Sequence, residues 1–126
     1  MAELTHERTP PLVNSWIKNK PDWFQVQAAS RAIRLSAALG PGEGEAIVLA
    51  EELSADALLI DDRDGRREAA RRGLPVLGTL RVLADAAEGN LVDLAVAFDR
   101  LRLTNFRADE ALLQQLASMD QLRRRQ

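Results

Sequence analysis

Cysteine does not occur in the 126 residues, and histidine occurs once, as His6. The first absence excludes disulfide scaffolds, thiolate metal sites and cysteine nucleophiles. The second excludes a zinc site built from several histidines, and His6 has no identifiable catalytic partner. No apolar run approaches the roughly 18 residues of a membrane span, and no apolar stretch follows a basic start. The expected setting is therefore the cytoplasm, without a membrane partner. An excess of positive charge is missing as well. The net charge of -2 argues against a protein that coats nucleic acid by charge alone, while leaving room for a local basic patch. Internal repeats and low-complexity segments are also lacking. What is present, 46% hydrophobic and 29% charged residues, suits a globular chain. The length fits one domain over residues 1–126, large enough to bury a core without staples.

Hydrophobic spacing gives the order of elements. Leu12, Val13, Trp16 and Ile17 recur at helical spacing behind Thr9-Pro10-Pro11, and Asn19-Lys20-Pro21 stops that helix. Trp23 to Gln27 is aromatic and β-branched and predicts a strand. Residues 30–39 suit a short helix, broken by Gly40-Pro41-Gly42. The run from Ala46 to Leu53 predicts a strong helix with its acidic residues at the start, where the macrodipole favours them. Ala57 to Ile60 is short and apolar throughout, then turns polar at Asp61-Asp62, as a buried parallel strand does. A charged helix over Arg66–Arg72 follows, then a strand at Pro75–Gly78. Three further helices are expected: Leu80–Ala87 capped by Thr79, Leu91–Leu101 with Leu91, Leu94, Ala95 and Phe98 on one face, and a last one opened by Asp109 that frays into Arg123-Arg124-Arg125. Strands alternating with helices at this spacing predict an α/β fold with a short, mostly parallel sheet.

In such folds ligands bind beyond the carboxyl ends of the strands. Asp61 and Asp62 stand at that end, with Asp64 in the following loop. Glu43 and Glu45 stand on the glycine-rich entry to a helix. Hard oxygen donors without histidine or cysteine suit Mg2+ or Mn2+, which assist phosphoryl chemistry. The plainer reading is structural: Glu43 and Glu45 as first-turn acids, Asp61 to Gly65 as a turn with a helix cap. No Gly-Lys-Ser/Thr follows the glycines, so a phosphate loop is not supported. Arg63, Arg66, Arg67, Arg71 and Arg72 crowd one segment. They suit either phosphate contacts or a solvated helix face paired with nearby acids. The terminal arginines read as a solubilising tail, and Trp16 and Trp23 as core or interface anchors. Thr79, just after a strand end, lies on the ligand side of the sheet.

Three runs in order resemble the PIN-like family of nucleic-acid-binding proteins, many of whose members look like toxins of bacterial toxin–antitoxin pairs. They are Pro41 to Ala50, Leu58 to Arg66 and Gly73 to Leu80. Asn105 to Asp109 resembles the family's C-terminal segment. The resemblance covers nearly the whole chain. It implies a PIN-like three-layer fold, a parallel sheet between helices, with an acidic cluster that binds Mg2+ or Mn2+ for RNA hydrolysis. On it, Glu43 or Glu45 matches the helix acid and Asp62 the acid after the strand, with Asp61 beside it. The implied catalytic set is Glu43, Glu45, Asp61 and Asp62, and the implied metal ligands are Glu45, Asp62 and Asp64. Arg63 and Arg66 match the family's basic pair, and Arg67 and Thr79 join them as nucleic-acid contacts. The family's opening strand, with its Asp, has no counterpart before Glu3. The chain is thus expected to be either N-terminally truncated or a degenerate member without nuclease activity. The function this implies is a toxin-type, metal-dependent ribonuclease domain. The alternative is a non-catalytic module binding an antitoxin protein or RNA. Lacking that strand, the sheet edge at Ala57–Ile60 would be left unpaired, which predicts a homodimer.

Overall fold

A computed structural model describes residues 9–30 and 39–126. Its elements are α1 (Pro11–Lys18), α2 (Pro41–Leu53), β1 (Leu58–Leu59), α3 (Arg63–Arg71), β2 (Val76–Leu77), α4 (Thr79–Glu88), α5 (Leu94–Arg102) and α6 (Glu110–Arg124). The strands β1 and β2 pair in parallel, with Leu58 opposite Val76 and Leu59 opposite Leu77. The α/β class expected from the sequence is the one observed.

Two apolar clusters organise these elements. In the first, Leu58 and Ile60 of the strand region pack with Ile47 and Ala50 of α2 and Ala69 of α3. In the second, Ala87 of α4, Leu94 and Phe98 of α5 and Leu113 of α6 are buried together. Burying a side chain such as Phe98 or Leu113 contributes roughly 1.5–3 kcal/mol, whereas an exposed ion pair contributes about 0–1 kcal/mol. The helical half is therefore held by its apolar seam. One charged contact in the first half is better placed. Arg72 donates to Glu68 Oε1 at 2.8 Å and to Glu51 Oε1 at 2.6 Å, tying α3 to α2 with all three side chains largely shielded.

Helix boundaries follow from capping. Asp62, Asp93 and Asp109 each accept a backbone N–H in the first turn of α3, α5 and α6. Helix α2 starts at Pro41, earlier than the sequence suggests, because proline at the first helical position has no N–H to satisfy. Helix α5 starts later than expected. Asn90 takes φ 59°, Leu91 is 80% exposed, and only from Asp93 onward is the helix capped. Leu94 and Phe98 are buried as expected, while Ala95 faces outward.

Two further expectations need correction. Trp23–Gln27 is not a strand. Phe24 N–H closes a turn on Pro21 O, and the rings of Trp23 and Phe24 pack on Trp16, so local aromatic contacts override the β-propensity of the run. The terminal arginines are not a free tail. Arg123 donates to Ala87 O at 2.8 Å and Arg124 to Val92 O at 3.0 Å, and both pair with Asp120. The expected helix at 30–39, for residues 31–38, and His6 lie outside the described residues.

The Glu68 carboxylate is held down from the ordinary 4.5 to about 2, first by its hydrogen bond to Arg71 and then by that to Arg72. A depressed carboxylate contributes stability above its unfolded value and loses it as pH falls towards the folded value. Between pH 4.5 and about 2 the native chain should therefore lose stability in part through Glu68. Denaturant midpoints measured across this range should show a shallower acid loss for Glu68→Gln than for the parent chain.

Candidate functional site

The carboxyl ends of both strands meet at Ile60, Asp61 and Gly78. Leu58 N–H and Ile60 N–H donate to Pro75 O and Leu77 O, so Ile60 is the last paired residue and the next two side chains emerge past the sheet. Asp61 accepts from Thr79 N–H at 2.9 Å through Oδ1, and from Thr79 Oγ1 at 2.6 Å through Oδ2. Thr79 is the first residue of α4, and its N–H is one of the donors a helix leaves unpaired at its start. The expected cap by Thr79 is thus replaced: Gly78 occupies the cap position, and a carboxylate 18 residues upstream supplies the acceptor. Gly78 permits this approach, since a Cβ there would lie 2.9 Å from Asp61 Oδ1 and 2.5 Å from Arg66 Nη1. Asp62 turns the other way and caps α3, accepting from Gly65 N–H at 2.8 Å.

Helix α2 brings the second pair of acids to the same place. A cavity of about 600 Å³ is lined by Glu43, Glu45, Leu59, Asp61 and Asp62, with Val26 to Ala28 along its wall. Four carboxylates from two segments of the sequence thus share one cavity. Glu45 Oε1 also accepts from Ala29 N–H at 3.3 Å, which holds that wall against α2. Glu52, two turns further along the same face of α2, does the same through Ser30, accepting from its N–H and its hydroxyl. Asp64 sits in the first turn of α3 and does not line the cavity.

The carboxylates suit a hard divalent ion by chemistry but do not form a coordination set in this arrangement. Among the described residues no group of three acids is close enough to hold one ion. Asp61 and Asp62 are already turned towards Thr79 and Gly65.

A second cavity, about 420 Å³, opens on the other side of Asp61. Arg66, Arg81 and Arg107 line it, with Phe106 and the first turn of α6. Arg66 Nη1 donates to Ile60 O at 3.2 Å, and Arg81 pairs with Asp85 one turn along α4. Of the arginines singled out in the sequence, Arg66 reaches this cavity. Arg63 and Arg67 stand exposed on α3 and do not line it. Arg71 and Arg72 are occupied by Glu68. Arg81 and Arg107 were not identified from the sequence. The available signal was position: Arg81 lies three residues past a strand end, and Arg107 lies in the irregular segment before a capped helix.

A parallel strand pair with an acid-lined cavity past its strand ends is the ligand-side arrangement of an α/β domain. The PIN domain family, DUF3368, matches residues 1–121, and the chain belongs to it. No curated protein and no solved structure matches the chain. No helix among the described residues is long and apolar enough to cross a membrane.

The Asp61–Thr79 contact makes a stability prediction. Thr79→Val keeps the side-chain shape and removes the hydroxyl donor to Asp61. A loss of about 1 kcal/mol is expected in urea unfolding, and an unchanged midpoint would show that the hydroxyl contributes nothing to the junction.

Proposed function

We propose that this PIN domain acts on RNA phosphodiesters as a toxin-type ribonuclease, with Glu43, Glu45, Asp61 and Asp62 as the acids of its hydrolytic cavity. The observation that supports this most is their meeting in one cavity, although α2 and the β1 end are separated in sequence. Had these acids faced separate solvent, they would read as helix caps and nothing more. Arg66, Arg81 and Arg107 lie across Asp61 from the acids and suit the phosphates on either side of the one attacked. Arg63 and Arg67 extend the same charge along α3, where they reach a longer strand of RNA. Thr79 acts in this reading through Asp61, whose orientation it fixes.

Mg2+ or Mn2+ is the cofactor this reading calls for; of the expected ligands, Glu45 and Asp62 line the cavity and would hold it, whereas Asp64 stands outside the lining. Since the acids do not form a coordination set as they stand, no reaction step is assigned to the ion. Asp62→Asn is an informative substitution. Asparagine caps a helix about as well as aspartate, so α3 is retained while the charge is removed. RNA cleavage in Mn2+ should fall at least tenfold in Asp62→Asn and in Glu45→Gln, with thermal unfolding unchanged. Full cleavage by either variant removes that residue from the mechanism.

A second reading is favoured by the hydrogen bonds that engage Asp61 and Asp62. In it the fold binds RNA, or an antitoxin protein, without cleaving. RNA binding that is indifferent to Mg2+ and Mn2+, with no cleavage by the parent chain, would select it.

Self-association belongs to either reading. Leu58 and Ile60 point their N–H groups at β2, so by strand alternation Leu59 directs its own towards the outer edge. Leu59 is also 66% exposed. A homodimer that covers this edge is the expected state, and sedimentation should give twice the chain mass. A monomer at all concentrations would retire the dimer.

A further inference from the structure

The aromatic cluster at α1 has no part in either cavity. Trp16 meets Phe24 edge to face with centroids 5.1 Å apart, and Trp23 lies 6.3 Å from each of them. Such packing ordinarily hides the rings, but here Trp23 remains 76% exposed and Trp16 44%. The rings therefore fix each other's orientation while leaving π surface open. Exposed Lys18 and Lys20 flank them, with Asp22 beside Trp23. From Phe24 the chain continues to Val26, Gln27 and Ala28, which form the wall of the acid-lined cavity. An oriented aromatic face, two cations and a direct continuation into the cavity thus occur on one segment.

We propose that Trp23, backed by Trp16, is a stacking platform for a base of single-stranded nucleic acid whose backbone runs on towards the acid-lined cavity. This rests on the RNA reading above and adds a base-binding surface outside both cavities. A flat aromatic face accepts any base, because every base has a π surface, and the lysines neutralise the backbone that runs past it. A duplex keeps its base faces stacked inside and does not offer one to Trp23. The open rings, with a net positive flank, suit a polyanion with flat apolar groups.

Both tryptophans of the sequence sit in this cluster, so intrinsic fluorescence reports on it alone. The parent chain would be titrated with twelve-nucleotide uridine and adenine oligomers in metal-free buffer, beside an abasic oligomer of equal length and a blunt duplex. Quenching by the two base-bearing single strands, and little by the abasic strand or the duplex, is the expected result. By anisotropy of a labelled strand, Trp23→Ala should weaken binding about 5- to 100-fold and Trp23→Phe much less. Trp23 is exposed, so neither change should unfold the chain, and Trp23→Phe keeps the test informative if alanine does. Equal affinity of Trp23→Ala and the parent overturns the platform. So does an emission change that follows protein concentration without oligomer, which would make the cluster a protein–protein contact. Asp62→Asn should lose cleavage and keep the quenching. Cleavage without quenching by any oligomer overturns the platform alone, and loss of both by the parent chain retires the RNA reading with it.

Discussion

A single carboxylate ties the end of β1 to the start of α4. Asp61 follows the last paired residue of β1, and Thr79 opens the helix that leads into the α4–α5–α6 unit. The hydrogen bonds between them are short and carry full charge on one partner, and they end on the positive start of a helix. The apolar cluster around Ile47 and the one around Phe98 share no buried residue. The Asp61 junction and the β2–α4 turn at Gly78 are two of the links between them. A side chain at Gly78 would press first on the ends of Arg66 and Asp61.

The same junction separates two surfaces of opposite character. On one side of Asp61 the wall is acidic, from Glu43, Glu45 and Asp62, and on the other it is basic, from Arg66, Arg81 and Arg107. A polyanion crossing this boundary meets repulsion at the acids and attraction at the arginines, so its position along the groove is set by that contrast. The site's polarity therefore does not appear in the net charge, which is close to zero relative to the number of charged groups.

Much of this was legible in the sequence for local reasons. The polar turn after Leu58-Leu59-Ile60, the acids near the start of α2 and the aspartate at the start of α6 all act within a few residues of where they stand. The parallel pairing of β1 and β2 also follows from spacing, because a nine-residue helix between two apolar runs leaves few other connections. What escaped depends on partners distant in sequence. Thr79 reads as a cap until Asp61 is seen to take its hydroxyl. Arg81 and Arg107 gain significance only because α4 and the segment before α6 converge on Asp61. Trp23 to Gln27 has a strand's composition, but no strand among the described residues lies alongside to use it, and the rings find Trp16 instead.

The arginines that end α6 have a consequence for how the helical half comes apart. Arg123 adds a side-chain donor to the carbonyl of Ala87, which also accepts Asn90 N–H at the end of α4, and Arg124 reaches Val92 in the loop before α5. Both cross more than thirty residues to do so, and Asp120 braces them from one turn earlier. The last turn of α6 works as a buckle over the α4–α5 connection. Removing the Arg123 and Arg124 side chains would cut both cross-links at once, beside the Ala87, Leu94 and Phe98 seam. The α4–α5 corner would then be the place where the helical half loosens.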